Sequence, residues 1–258
     1  MRCDRIPGVI TDTDTEELLR AAVRNNAEWC AAVSGGGSFA AGAWTSARRT
    51  PPYYPDGVTL TREASGDALL AAMDTDSPGC SVKDSFADLD LAPAGFEVLF
   101  GAEWIHRPPA APAPGACALT WSRVADAGEL AAWEAAWGGG ESSGLFHPGL
   151  LTEEIAFFAG RSAEGRIVAG AAANRTGADR TGADRTGADR TGTVVGLSNV
   201  FTADGTPDDE AWAGALTTVA DLWPGLPVVG YESGEDLATA VRHGFAPLGP
   251  LRVWLHTA

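Results

Sequence analysis

The closing stretch Val228–His256, VVGYESGEDLATAVRHGFAPLGPLRVWLH, constrains this chain more than any other. It divides into an apolar strand, a capped helix, a glycine stop and a returning strand. Ser233 followed three residues later by Asp236 matches a capping-box-like start, in which short polar side chains satisfy the free amides of the first turn. Leu237, Ala240 and Val241 give one apolar helical face. Gly244 suits the left-handed position just past a helix, with Phe245 folding back on the last turn. Pro247 and Pro250 bracket the way into Leu251–Leu255, where Leu251, Val253 and Leu255 alternate with Arg252 and Trp254.

The same grammar recurs in Cys80–His106, CSVKDSFADLDLAPAGFEVLFGAEWIH. Ser85 and Asp88 stand for Ser233 and Asp236, and Leu89 for Leu237. Gly95-Phe96 stands for Gly244-Phe245, and Trp104-Ile105-His106 for Trp254-Leu255-His256. Any strand–helix–strand unit needs a cap, a glycine and an apolar return. That need does not extend to the shared Trp-apolar-His ending, which points to an internal duplication. Pro93 ends the first copy's helix early, because proline removes a donor and clashes one turn back.

With 258 residues, 45% of them hydrophobic, the chain is long enough for a packed core in one large or two small domains. No window approaches the ~18 apolar residues of a membrane span. The first residues carry no apolar run suited to a secretory signal, so the expected location is the cytoplasm. Four separated cysteines without a CxxC pair indicate neither a zinc site nor a disulfide framework. The formal charge of −16 argues against nucleic acid or an anionic membrane as partner. It favours a cationic small molecule such as an amine, although acidity also serves solubility alone. Lys83 is the one lysine among the 18 basic residues, which reads as a coding bias toward arginine.

Along the chain, Thr15–Val33 reads as a helix with Leu18, Leu19, Ala22, Val23, Ala27 and Cys30 at helical spacing. The run from Ser34 to Ser38 stops it. Arg48–Asp56 is an extended, proline-braced loop; Arg48, Arg49, Tyr53 and Tyr54 mark either a rim binding site or ordinary loop residues. Val58–Thr61 reads as a short strand and Asp67–Met73 as a helical turn or two. His106–Gly115, rich in proline and alanine, is the linker. The expected division is residues 1–107, linker 108–115, and 116–258. The second part begins with a strand at Ala118–Trp121 and a helix at Ala127–Trp137. Strands follow at Ile155–Ala159 and Ile167–Ala173. Residues 175–192 hold three RTGAD units that lack any large apolar side chain, so a flexible loop is expected there. Val194–Phe201 is a buried strand, Asp208–Leu222 a helix and Pro227–Gly230 a strand.

The order strand, helix, three strands, helix, strand, helix, strand, with the closing AxxHGFxPLGPLRVW, resembles the GNAT family of GCN5-related N-acetyltransferases. The resemblance covers about residues 117–258, and Cys80–His106 is similar to the tail of a second, shorter half. It implies an α/β fold: a mixed sheet flanked by helices, with a shorter related N-terminal half. The implied reaction is acyl transfer from acetyl-CoA to a small amine; the alternative is a degenerate GNAT-like module that binds a ligand or a protein. GNAT enzymes hold the CoA pyrophosphate in a loop reading Arg/Gln-x-x-Gly-x-Gly/Ala before the helix after the central strand. Here that loop reads TADGTPDDEAWAG, with Gly205 and Gly214 at other spacings and no opening Arg or Gln. Asp208, Asp209 and Glu210 suit a bare helix start but repel a pyrophosphate.

The resemblance places cofactor contacts at Ser198, Asn199, Val200, Phe201 and Gly205, with strand amides polarising the thioester. The tyrosine acid common in the family falls on Ala240 here. The substitutes are Glu232 as base, Tyr231 as donor and His243 as a group titrating near neutrality. Each also has a structural reading: Glu232 before a cap, Tyr231 in the core, His243 on the last helix carbonyls. No G-x-S-x-G elbow and no metal-ligand histidine spacing occurs.

Overall fold

The computed structural model describes residues 12–111, 115, 117–140, 142–176, 192–203 and 205–257. Its elements are α1 (Asp12–Val33), β1 (Ser38–Phe39), β2 (Ala43–Thr45), β3 (Gly57–Thr59), α2 (Gly66–Leu70), β4 (Ser81–Asp84) and β5 (Phe96–Arg107). They continue with β6 (Thr120–Arg123), α3 (Ala127–Trp137), β7 (Ile155–Arg161), β8 (Ile167–Thr176), β9 (Val194–Thr202), α4 (Asp208–Leu222), β10 (Val228–Glu232), α5 (Gly234–Arg242) and β11 (Ala246–His256). Among the described residues no helix is long and apolar enough to cross a membrane.

The eleven strands of the described residues form one mixed sheet, ordered β1-β2-β3-β4-β11-β5-β10-β9-β8-β7-β6. The order is palindromic about the β11–β5 pair, apart from the extra edge strand β6. Two steps are parallel, β3–β4 and β9–β10, and they sit at matching places either side of that pair. The last strand of each half is inserted between strands of the other: β11 lies between β4 and β5, and β5 between β11 and β10. In the central register Trp104 stands opposite Gly249 and Trp254 opposite Val98.

Period-2 alternation sends successive side chains to opposite faces, and each face is covered by helices. On one face, Leu19, Ala22 and Val23 of α1 meet Ala102, Trp104, Val194 and Val229. Farther along that face, Trp133 of α3 and Trp29 of α1 pack with Phe157 and Ala172. On the other face, Trp212, Leu216 and Val219 of α4 meet Ile105, Phe158, Val195 and Val228. The alanines of β8 are short enough for indole rings to seat from both sides. Each fully buried large side chain contributes about 1.5–3 kcal/mol.

Several local expectations change. The first copy of the tail has no capped helix: after β4 the chain turns, and only a 3-10 turn forms at Ala92–Ala94, with Pro93 inside it. Gly95 still takes the left-handed conformation, φ 82°, and Gly244 does so in the second copy, φ 88°. Ser233 occupies the cap of α5 with extended dihedrals, but its hydroxyl accepts no amide. The expected loop at 175–192 starts later, because Arg175 and Thr176 extend β8. Arg175 is held there by Glu154 at 2.6 Å; the rest of the RTGAD run, 177–191, lies outside the described residues. β1 and β2 occupy a stretch with no periodicity to announce them.

Because β5 completes the sheet beside β10, residues 117–258 produced alone are expected to lack a cooperative unfolding transition, and to recover one when residues 1–116 are co-expressed. Circular dichroism melts of the two preparations check this; an isolated piece melting at the full chain's midpoint would contradict the interleaved sheet.

Candidate functional site

The parallel neighbours β9 and β10 pair only at Val195–Val228 and Gly196–Val229, although each strand runs farther. Past that point they diverge. β9 departs through a bulge: Ala172 faces Ser198 and Gly170 faces Phe201, so Asn199 and Val200 share one place opposite Ala171. Asn199 takes φ 52°, a left-handed conformation that asparagine tolerates better than most residues.

The opening leads into a cavity of about 250 Å³ beneath α1. α1 approaches closely because Gly196 has no side chain; a Cβ there would lie 1.8 Å from Asn25 Oδ1. Asn25 Nδ2 donates to the Asn174 carbonyl at 2.9 Å and to Thr176 Oγ1 at 2.8 Å, and Asn174 Nδ2 donates back to the Asn25 carbonyl at 3.2 Å. Buried amides paired this way hold helix to sheet, since an unpaired one costs about 1–3 kcal/mol.

The cavity wall mixes both halves of the chain. Lys83 of β4 is 3% exposed, donates from Nζ to Asn26 Oδ1 at 2.7 Å and lies 4.2 Å from the Tyr231 ring centroid. Trp104 meets Tyr231 edge-on at 5.5 Å and donates its indole N–H to the Ser85 carbonyl at 2.8 Å. The Tyr54 hydroxyl reaches Asn199 Oδ1 at 3.5 Å, and burial raises its pKa well above the usual tyrosine value, so it stays protonated. Ser198 Oγ is buried without a hydrogen-bond partner among the described residues.

Of the residues expected to form the site, Ser198, Asn199, Val200, Tyr231 and Glu232 line this cavity. Tyr231 and Glu232 do so from opposite sides. Alternation along β10 puts Tyr231 on the α1 face, among Trp104 and Val229. Glu232 is thereby directed toward α5, where burial first and the Asp236 charge second push its pKa up to about 8. The two therefore do not converge as base and donor from one side. Phe201 turns away to pack on Trp133 at 5.3 Å. Gly205 sits in an open turn at φ 74°. His243 caps α5, stacks on Trp212 and holds Asp209 at 3.0 Å, away from the cavity. Of the proline-braced loop, Tyr53 and Tyr54 reach the cavity while Arg49 is bound to Asp56.

The first turn of α4 carries three carboxylates, each bound within the chain. Asp208 accepts from Thr202 Oγ1 at 2.8 Å, Asp209 from His243 and Arg242, and Glu210 from the Ala118 amide at 2.8 Å. Sequence reasoning misses Lys83, Asn25 and Asn26. The available signal is only that Lys83 is the chain's one lysine; its buried neighbours Val82 and Asp84 set no in/out alternation around it.

The architecture matches solved structures over nearly its whole length. A GCN5-related N-acetyltransferase from Kribbella flavida superposes with a TM-score of 0.57, at 17% identity over 92% of this chain and 96% of that one. The chain has the GNAT fold. A putative GNAT acetyltransferase from Novosphingobium aromaticivorans gives 0.56 at 11% identity, over 93% and 97% of the two chains. A functionally unknown conserved protein from Staphylococcus epidermidis gives 0.53 at 10% identity, over 86% and 93%. No protein-family model and no curated protein matches the chain by sequence.

The raised pKa of Glu232 has a stability consequence. The unfolded chain ionises this carboxyl near its ordinary value of about 4.3, the folded chain near 8. Between those values the folded state binds more protons, so this group's contribution falls as pH rises. Glu232→Gln is expected to raise the melting temperature at pH 8 and to leave it nearly unchanged at pH 4.5. Melts at both pH values check the crossover; an equal shift at both would show that Glu232 is ordinarily ionised.

Proposed function

We propose that this chain is a GNAT-fold module that binds a small organic molecule in the cavity between α1 and the diverging strands β9 and β10, without holding a CoA pyrophosphate at α4. The separation of β9 from β10 after two paired residues carries the reading, since it admits a ligand to an otherwise continuous sheet. The α4 start supports the second clause. A pyrophosphate needs free amides and an unopposed helix dipole. Here the Glu210 amide already donates to the Pro207 carbonyl, and three carboxylates occupy the turn. Each like-charge contact at 4 Å opposes an anion by about 1 kcal/mol in water and about 4 near a protein surface. The residues present do not fit a CoA pyrophosphate.

The two halves are read as related copies. The palindromic strand order and the shared Trp-apolar-His endings of β5 and β11 support this, and the cavity then belongs to the more complete second copy, roofed by the first.

A second reading is acyl transfer to a small amine, favoured by the same divergence and by the bulge at Asn199. On that reading Glu232 removes the amine proton only above about pH 8, where its carboxyl is ionised.

A ligand at one hundred times its dissociation constant adds about 2.7 kcal/mol to stability. Acetyl-CoA and CoA at millimolar concentration are therefore expected to leave the melting temperature unchanged; a saturable upward shift would favour the second reading. Small-molecule binding is expected to alter tryptophan fluorescence, because Trp29 and Trp104 line the cavity. Ser198→Leu, which fills the space with apolar volume, should abolish that change while the fold persists by circular dichroism.

A further inference from the structure

The cavity's one cationic side chain is held without a counter-charge. Lys83 is 3% exposed, and among the described residues no carboxylate lies within ion-pair distance of it and Asn26 Oδ1 is the only hydrogen-bond acceptor of its ammonium. An ammonium has three donors, so two remain. The Tyr231 ring face offsets part of the charge but supplies no oxygen. Buried charges in proteins are ordinarily paired, because leaving one unpaired costs several kcal/mol. A second group nearby is also unmatched: Ser198 Oγ, buried and without a partner among the described residues, lines the same cavity.

We propose that Lys83 and Ser198 anchor the carboxylate of a small aromatic or partly apolar monocarboxylic acid in this cavity. The proposal rests on the cavity being a ligand site and names the class of ligand. One lysine, with no arginine or histidine among the lining residues, matches a single negative charge rather than a phosphate dianion. The rings of Trp29, Tyr54, Trp104 and Tyr231 suit a flat apolar body. A cavity of about 250 Å³ lies below the roughly 300–1,000 Å³ of pockets that take drug-sized ligands, so the ligand is small. The chain's overall charge of −16 opposes anions at long range, so recognition here depends on the short-range contacts of one buried cation. Lys83 comes from the first half of the chain and Ser198 from the second, so the site exists only where the halves interleave.

The test uses the full chain and three probes of one shape: phenylacetate, phenylacetamide and phenethylamine, titrated calorimetrically and by melting temperature. Phenylacetate is expected to bind, with the amide and the amine about ten- to a hundredfold weaker, the worth of a charge-assisted contact. Lys83→Met is expected to lose phenylacetate affinity by a similar factor. Ligand-free Lys83→Met should melt at or above the wild-type temperature, because it removes an unpaired buried charge. Equal binding of the amide or the amine, or unchanged binding by Lys83→Met, would overturn the anchor while leaving the cavity a binding site. Failure of all three probes would overturn the binding-site reading and the anchor with it. A ligand-free Lys83→Met that melts lower would assign Lys83 to structure instead.

Discussion

The antiparallel pairing of β11 with β5 holds the molecule together. Ten register positions join Ala246–His256 to Phe96–Arg107, across the centre of the sheet and across the two halves of the chain. β4 flanks this pair on one side and β10 on the other, so neither half closes its own sheet. The consequence is one continuous sheet in which the edge strands are far from the centre and the two parallel steps fall symmetrically beside it.

The cavity follows from that arrangement. A parallel step in a mixed sheet lacks the hairpin that would keep its strands together, and β9 and β10 separate once their shared register ends. The bulge at Asn199 turns β9 away and the exchanged strand β5 keeps β10 in place on its other side. α1 then closes one face by resting on Gly196, where a larger residue would collide with Asn25. The electrostatics divide by face. Lys83, Tyr54 and Ser198 lie under α1, whereas Glu232 lies toward Asp236 and stays protonated at neutral pH. A cation and a neutral acid are thereby held apart by the strand between them.

Much of the fold is legible in the residues. The spacing of Leu130, Trp133 and Trp137 marks α3 with its observed bounds, and the structure adds its cap, the Asp126 carboxylate accepting the Gly128 and Glu129 amides. α4 likewise runs from Asp208 to Leu222. Gly95 and Gly244 mark left-handed turns because only glycine takes that conformation without strain. The site is less legible. Ser198, Asn199, Val200, Tyr231 and Glu232 reach the cavity as β9 and β10 require, but His243 is diverted by Asp209, which its titratable ring hydrogen-bonds 34 positions away. Lys83 carries no local signature, because its meaning depends on a helix and a strand distant in sequence.

The amino-acid sequence by itself determined the elements: period, caps and glycine stops are local properties of backbone sterics and side-chain hydrophobicity. Tertiary structure alone decided which strands are neighbours, that the halves exchange their last strands, and that a solitary lysine ends in a buried cavity. Those outcomes depend on contacts between residues more than a hundred positions apart, such as Asn25 with Asn174, and no short window of sequence contains them.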